Sequence, residues 1–279
     1  MNFKFLFSQK KTKTKMTQTE KDRIIEKYGG YRALKSIPQS WTIVKRLGRG
    51  AYGEVFLIRK DDRIRVVKFQ KASNKYNILY EVWMQMNFFK FGLAPKVHNF
   101  DIWDDQYSSI TMDYIDILEN HLSIKRSESE LHDIVNKLND LLSIMCKHKF
   151  RHNDLHWGNI GIDKHLNLVL IDFGKASIGH KKCYKSGEWF QLARTLRNAF
   201  KENMNNQNKN YLSIHILDKF LDAIRSENVV LPKKIQTVED LYGVMDEAVG
   251  YLRPTIRYKT NAIRSLTHAQ KLELFSRKI

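Results

Sequence analysis

The period of the apolar residues changes along this chain, and that change restricts its fold more than any single motif. From Trp41 to Phe56 apolar and polar residues alternate around a glycine cluster, and "RIRVVKFQ", beginning at Arg63, is a second strand-like run. A period of two turns one face of a strand toward a core, so these runs predict a twisted hairpin. Residues 74–90 switch to helical spacing, and "SSITMDYIDI" returns to a strand pattern. The stretch "ELHDIVNKLNDLLSIMCKHKF" then sets Leu131, Ile134, Leu138, Leu141, Leu142 and Met145 on one helical face. "NIGI", a polar turn at Asp163 to His165, and "LNLVLIDFG" predict a short hairpin, after which the chain is mostly helical, "EWFQLARTLRNAF" setting Trp189, Ala193, Leu196 and Phe200 at helical spacing.

With 279 residues, 42% of them hydrophobic, the chain can bury the core of one large domain or of two lobes. No apolar run approaches the roughly 20 residues that span a bilayer, and the opening "NFKFLFSQKKTKTK" lacks a signal-like apolar segment, so a soluble protein is expected. Cys146 and Cys183 show no C-x-x-C spacing, which suggests neither a disulfide framework nor a thiolate metal site. The net charge is +18. Residues 1–20 hold five lysines against Glu20, and residues 251–279 hold seven Lys or Arg against Glu273, so the ends supply +4 and +6. Such ends serve as solvated arms, or attract nucleic acid, an anionic membrane surface or an acidic partner. Nucleic-acid binding through them is the less favoured reading, because RNA-binding signatures, zinc spacing and interleaved aromatics are missing.

Several polar positions stand out against this frame. Gly48, Gly50 and Gly53 in "LGRGAYGEVF" lie between two strands, where backbone amides could fold over phosphates. A plain glycine-bearing hairpin is the competing reading; a dinucleotide fingerprint would need a helix to follow. Lys68 in "VVKF" sits mid-strand among apolar residues, either aimed at an anion or snorkelling to solvent. Glu81, on the helical stretch "NILYEVWMQM", is its natural partner, or else an ordinary solvated helix residue. Asp154 and Asn159 are five apart in "HNDLHWGN", and Asp172 follows Asp154 by 18 residues across the predicted hairpin. Two carboxylates and an amide converging at strand ends can bind magnesium and orient a hydroxyl, as phosphoryl transfer requires. A zinc site on His152 and His156 lacks a third ligand at suitable spacing; His152 reads instead as a core histidine bonded to backbone.

Taken in order, these motifs resemble the protein kinase family over roughly residues 41–200: a glycine-rich "GRGAYGEV", a strand lysine, a helix glutamate, a catalytic loop and "DFG". The resemblance implies an α+β, bilobal fold with a small β-rich N-lobe and a mostly helical, shortened C-lobe. It divides the chain into a basic arm at 1–20, an N-lobe at 21–112, a C-lobe at 113–253 and a basic tail at 254–279. It implies ATP and Mg2+ as cofactors. Gly48, Gly50, Gly53 and Val55 would cover the nucleotide, Lys68 would hold its phosphates and Glu81 would pair with Lys68. Adenine would bond the backbone of Asp113 and Ile115 in the linking segment "MDYI". Asp154 would accept or orient the substrate hydroxyl proton, and Asn159 and Asp172 would ligate magnesium.

The chain departs from the family pattern in ways that bear on its substrate. Asn153 replaces the arginine usual before the catalytic aspartate, which implies activity without activation-loop phosphorylation. His156 stands where Ser/Thr kinases usually carry a lysine near the transferred phosphate, and "DLHWGN" is similar to the loops of aminoglycoside and choline phosphotransferases. Between Gly174 and Glu188 lie 13 residues with no A-P-E motif, too few for a peptide platform of ordinary size. This shortened segment looks like that of minimal kinases, including those of large DNA viruses, some bacterial effectors and archaeal-type tRNA-modification kinases. Glu188 is either an anchor for the catalytic loop or an ordinary charge at a helix N-terminus. Lys175, Lys181, Lys182 and Lys185 would attract acidic or already phosphorylated substrates. The leading expectation is a Ser/Thr protein kinase with a protein substrate, in the cytoplasm, or in a host cytoplasm or virion if viral. A small-molecule kinase and a catalytically silent binding scaffold are the alternatives.

Overall fold

The computed structural model describes residues 40–50, 53–71, 75–103, 107–178, 185–198 and 204–227, together with Lys35 and Ile37. The expected arm at 1–20, the tail at 254–279, Phe200, Lys181 and Lys182 lie outside the described residues. The architecture is α+β, as expected: strands dominate the first part and helices the second. Two compact units are present. One contains the strands up to Lys71 and the pair between His98 and Asp113; the other contains the elements from Tyr76 to Val97 and from Tyr114 onward.

The first unit is a single sheet. Its strands are β1 (Thr42–Arg49), β2 (Gly53–Lys60), β3 (Arg63–Lys71), β4 (Val97–Trp103) and β5 (Tyr107–Asp113), in the order β1-β2-β3-β5-β4. The predicted hairpin is thus part of a larger meander, and β4 is an element that the period of its residues conceals. Pairing of Phe56 with Val67 and of Glu54 with Phe69 puts Phe56, Ile58, Val67 and Phe69 on one face, where they bury with Ile43 and Trp103. Phe69 meets Phe56 and Trp103 edge to face, with centroids 5.9 and 6.5 Å apart. A slip of one residue would expose this whole set, so the burial itself holds the register. Each fully buried aliphatic or aromatic side chain contributes roughly 1.5–3 kcal/mol.

In the second unit α1 (Lys75–Phe89) covers the predicted helical stretch. There follow β6 (Asp116–Ile117), α2 (Leu118–Leu122), α3 (Glu128–Lys147), β7 (Phe150–Arg151), the hairpin strands β8 (Ile160–Ile162) and β9 (Leu168–Leu170), β10 (Ser177–Ile178), α4 (Lys185–Asn198) and α5 (Asn206–Ser226). α3 starts at a capping box in which Ser127 Oγ accepts from the Glu130 amide and the Glu130 carboxylate accepts from the Ser127 amide. Its buried stripe is Leu131, Val135, Leu138, Leu141, Leu142 and Met145. Val135 thus takes the place expected for Ile134, which is only half-buried. Cys146, near its end, is disulfide-bonded, contrary to the reading of the cysteine spacing; separation along the chain does not report distance across a fold. Trp157, Trp189, Phe88 and Phe173 are fully buried in the same core.

Candidate active site

The nucleotide-side candidates of the first unit lie on β1, β2, β3 and β5. Gly50 donates its amide to the Gly53 carbonyl at 2.9 Å, closing the turn between β1 and β2. A β-carbon at Gly48 or Gly50 would meet nothing within 4 Å, whereas one at Gly53 would lie 2.0 Å from the Phe69 carbonyl oxygen. β3 passes so close to Gly53 that no side chain fits there, a constraint separate from the phosphate approach read in the sequence. Val55 opposes Lys68 across β2 and β3, and Lys68 opposes Ile110 of β5. These three share the face opposite the buried Phe56 and Phe69, and Lys68 is half-buried there. Asp113 ends β5, with its Oδ1 2.7 Å from His98 Nε2.

The remaining candidates, Glu81, Ile115, Asp154, Asn159 and Asp172, belong to the second unit. Asn159 connects the two aspartate-bearing turns. Its side-chain Nδ2 donates to the Asp154 carbonyl at 3.0 Å, and its own carbonyl accepts from the amide of Ile171, next to Asp172, at 3.0 Å. With Nδ2 engaged, Oδ1 is the amide's remaining acceptor. Asn153 and Asp172 hold left-handed backbone, with φ of 61° and 64°, which asparagine and aspartate tolerate better than other side chains. A β-carbon at Gly174 would lie 3.7 Å from Asp172 Oδ1 and 3.9 Å from Glu81 Oε2, so Glu81, itself buried, faces the turn after Asp172. Ile115 packs so closely on β8 that a β-carbon at Gly161 would overlap its Cγ2 at 2.0 Å.

Why this loop holds its shape follows from α4. Glu188 Oε1 accepts from the His152 amide at 3.0 Å, and Gln191 Oε1 accepts from the Leu155 amide at 2.8 Å. Three residues apart, Glu188 and Gln191 share a face of the helix, and Leu192 adds its carbonyl to the Trp157 indole at 3.3 Å. The anchoring reading of Glu188 is the one the structure shows. Burial pushes its carboxyl up to about 7, opposed by the His152 amide and the nearby charge of Arg151. His152 is buried and its Nε2 donates to the Ile171 carbonyl at 2.9 Å, so it is a core histidine and that nitrogen is committed to backbone. Burial lowers its pKa. Among the described residues no cluster of three or more His, Cys, Asp or Glu has metal-site geometry.

Three contacts around Asp154 are not legible in the motifs. Lys175 Nζ lies 2.8 Å from Asp154 Oδ1, and Asn153 Nδ2 donates to the Lys175 carbonyl at 3.0 Å and to Ser177 Oγ at 2.8 Å. His156 stands beside Gly158, and burial pushes its pKa down against the opposing pull of Asp154 and Asp172. Gln191 is the residue whose role a helix-face reading could have found, since it repeats the Glu188 position one turn on.

Residues 41–190 match the sequence profile of the protein kinase domain. The dual specificity protein kinase zakA of Dictyostelium discoideum is 30% identical over 158 residues, which are 52% of this chain and 20% of that protein. The serine/threonine-protein kinase CBK1 of Yarrowia lipolytica is 27% identical over 193 residues, 63% of this chain and 33% of its own length. The chain thus spans between a fifth and a third of these relatives. The structure of the Cydia pomonella granulovirus kinase PK-1 is similar at a TM-score of 0.46 and 20% identity, over 75% of this chain and 84% of that one. With the profile running from β1 into α4 over more than half of the 279 residues, the chain belongs to the protein kinase domain family.

Proposed function

We propose that this protein is an ATP- and magnesium-dependent phosphotransferase acting on Ser or Thr hydroxyls of a protein, with a short activation segment and no need for phosphorylation of that segment. Membership of the family carries phosphorylation of proteins and use of ATP and magnesium in general. The finer reading rests on one observation: Asn159 ties the Asp154 turn to the residue before Asp172 through two hydrogen bonds of 3.0 Å. Asn159 Oδ1 and the Asp172 carboxylate are hard oxygen donors suited to magnesium, whose other ligands are ordinarily phosphates and water. Bound there, the metal would neutralise phosphate charge. Gly48, Gly50, Gly53, Val55 and Lys68 are assigned to ATP and its phosphates, and the backbone of Asp113 and Ile115 to adenine.

Asp154 is assigned as the group that orients the acceptor hydroxyl. As the hydroxyl oxygen bonds the γ-phosphorus, the bond from that phosphorus to the β-phosphate oxygen breaks, ADP leaves, and the proton passes to the Asp154 carboxylate. Independence from segment phosphorylation is supported by Asn153, whose amide binds Lys175 and Ser177 directly where an arginine would need a phosphate. A second reading, a small-molecule kinase, is favoured by "DLHWGN" and the 13-residue segment after Gly174. Incubation with radiolabelled ATP, magnesium, acidic and basic model proteins and a panel of aminoalcohols separates the two by where label appears. Asp154→Asn should lower turnover by about 100-fold or more while ATP affinity stays within about threefold. Wild-type turnover in that variant refutes the assignment.

A further inference from the structure

We infer that Lys175 is a positioning residue for Asp154: its ammonium fixes one carboxylate oxygen so that the other is presented to the acceptor hydroxyl. The inference rests on the phosphotransfer reading above and gives Lys175 a role toward Asp154 which that reading does not. Lys175 Nζ is 2.8 Å from Asp154 Oδ1. A carboxylate free to rotate about its last bond presents no fixed acceptor, whereas one oxygen held by an ammonium leaves Oδ2 in one place.

The backbone that carries Lys175 is itself pinned. Its carbonyl accepts from Asn153 Nδ2 at 3.0 Å, the next carbonyl, of Ala176, accepts from the Tyr80 hydroxyl at 2.7 Å, and the Ala176 amide donates to Phe173 at 3.1 Å. Phe173 and Ala176, on either side, are fully buried. Asn153 therefore holds Lys175 from the same loop that presents Asp154. The loop's own basic residues are differently occupied. His152 bonds the Ile171 carbonyl, the Arg151 charge acts on Glu188, and burial pushes the His156 pKa down. Asp172 and His156 also lie near this pair, and the Glu81 carboxylate faces Gly174 beside it.

With the lysine side chain 51% exposed and the aspartate 32% exposed, the ion pair adds little to stability, so it can be removed without unfolding the protein. Steady-state kinetics on the full chain with magnesium, ATP and the acceptor protein that takes label should compare wild type, Lys175→Ala, Lys175→Arg, Asp154→Asn and the double variant Lys175→Ala with His156→Lys. Lys175→Ala should lower kcat by about 100-fold with KM for ATP changed by less than about threefold, a split that a lost fold would not give. Arginine should hold kcat within about tenfold of wild type, and His156→Lys should restore at least about tenfold to the alanine variant, since each returns a cation to the carboxylate. Should Lys175→Ala melt well below wild type, Lys175→Met, which keeps the stem, replaces it. Wild-type kcat in the alanine variant while Asp154→Asn is silent overturns the inference alone, as does a raised kcat, which would make the pair a brake. Absence of transfer by wild type to every acceptor overturns the phosphotransfer reading and this inference with it.

Discussion

At the scale of single residues, burial decides the chemistry. Glu188 sits in the core with one oxygen on the His152 amide, and its carboxyl is pushed up to about 7 from 4.5. A folded-state pKa above the unfolded one means that the native state binds the proton more tightly. The contribution of Glu188 to stability is then full below pH 4.5 and is lost as pH rises through about 7. Wild type should lose on the order of 3 kcal/mol more than Glu188→Gln across that window. Urea unfolding of both proteins near the two ends of the window measures it, and parallel pH dependences would count against a buried, proton-binding Glu188. Gly53 makes a second case. Alanine there would drive a β-carbon to 2.0 Å from the Phe69 carbonyl, where only backbone could yield. Gly53→Ala should cost roughly 1–3 kcal/mol and Gly50→Ala under about 0.5; equal melting temperatures for the pair would contradict the close approach. The motif in the sequence marks Gly53 as special but not why, because the strand that forbids a side chain lies 16 residues on, at Phe69.

At the scale of elements, α4 carries the loop. Its Glu188, Gln191 and Leu192 each bond the loop between His152 and Trp157. The helix itself is readable from Trp189, Ala193 and Leu196, which bury as their spacing predicts. That its other contacts hold a loop more than 30 residues upstream is not readable, since hydrogen bonds across a fold leave no period in sequence. Gln191→Ala would leave the Leu155 amide without its acceptor and should destabilise by about 1–2 kcal/mol while lowering kcat. A thermal melt and an initial-rate assay on one preparation check both halves, and an unchanged rate with lowered stability would show the bond to be structural only. β4 shows the opposite failure: Val97, Ile102 and Trp103 do not alternate, and the strand exists because β5 offers it an edge.

At the scale of the whole molecule, the proposed encounter with substrate is a matter of charge. On the proposed function, a chain of net charge +18 would attract an acidic acceptor through long-range forces that salt screens. Raising salt from about 50 to about 300 mM should raise KM for an acidic protein severalfold and leave kcat nearly constant. The same KM for acidic and neutral acceptors at both salts would remove the electrostatic argument. Among the described residues no helix is long and apolar enough to cross a membrane. The amino-acid order alone determined the α+β succession, the order and spacing of the glycine, lysine, glutamate and aspartate motifs, and the charge, because each is a local or additive property. Tertiary structure alone decided that Lys175 meets Asp154, that Glu188 and Gln191 hold the loop, and that Gly53 must be bare. These depend on which distant backbones and side chains come within a few ångströms, and burial sets that only once the whole core has formed.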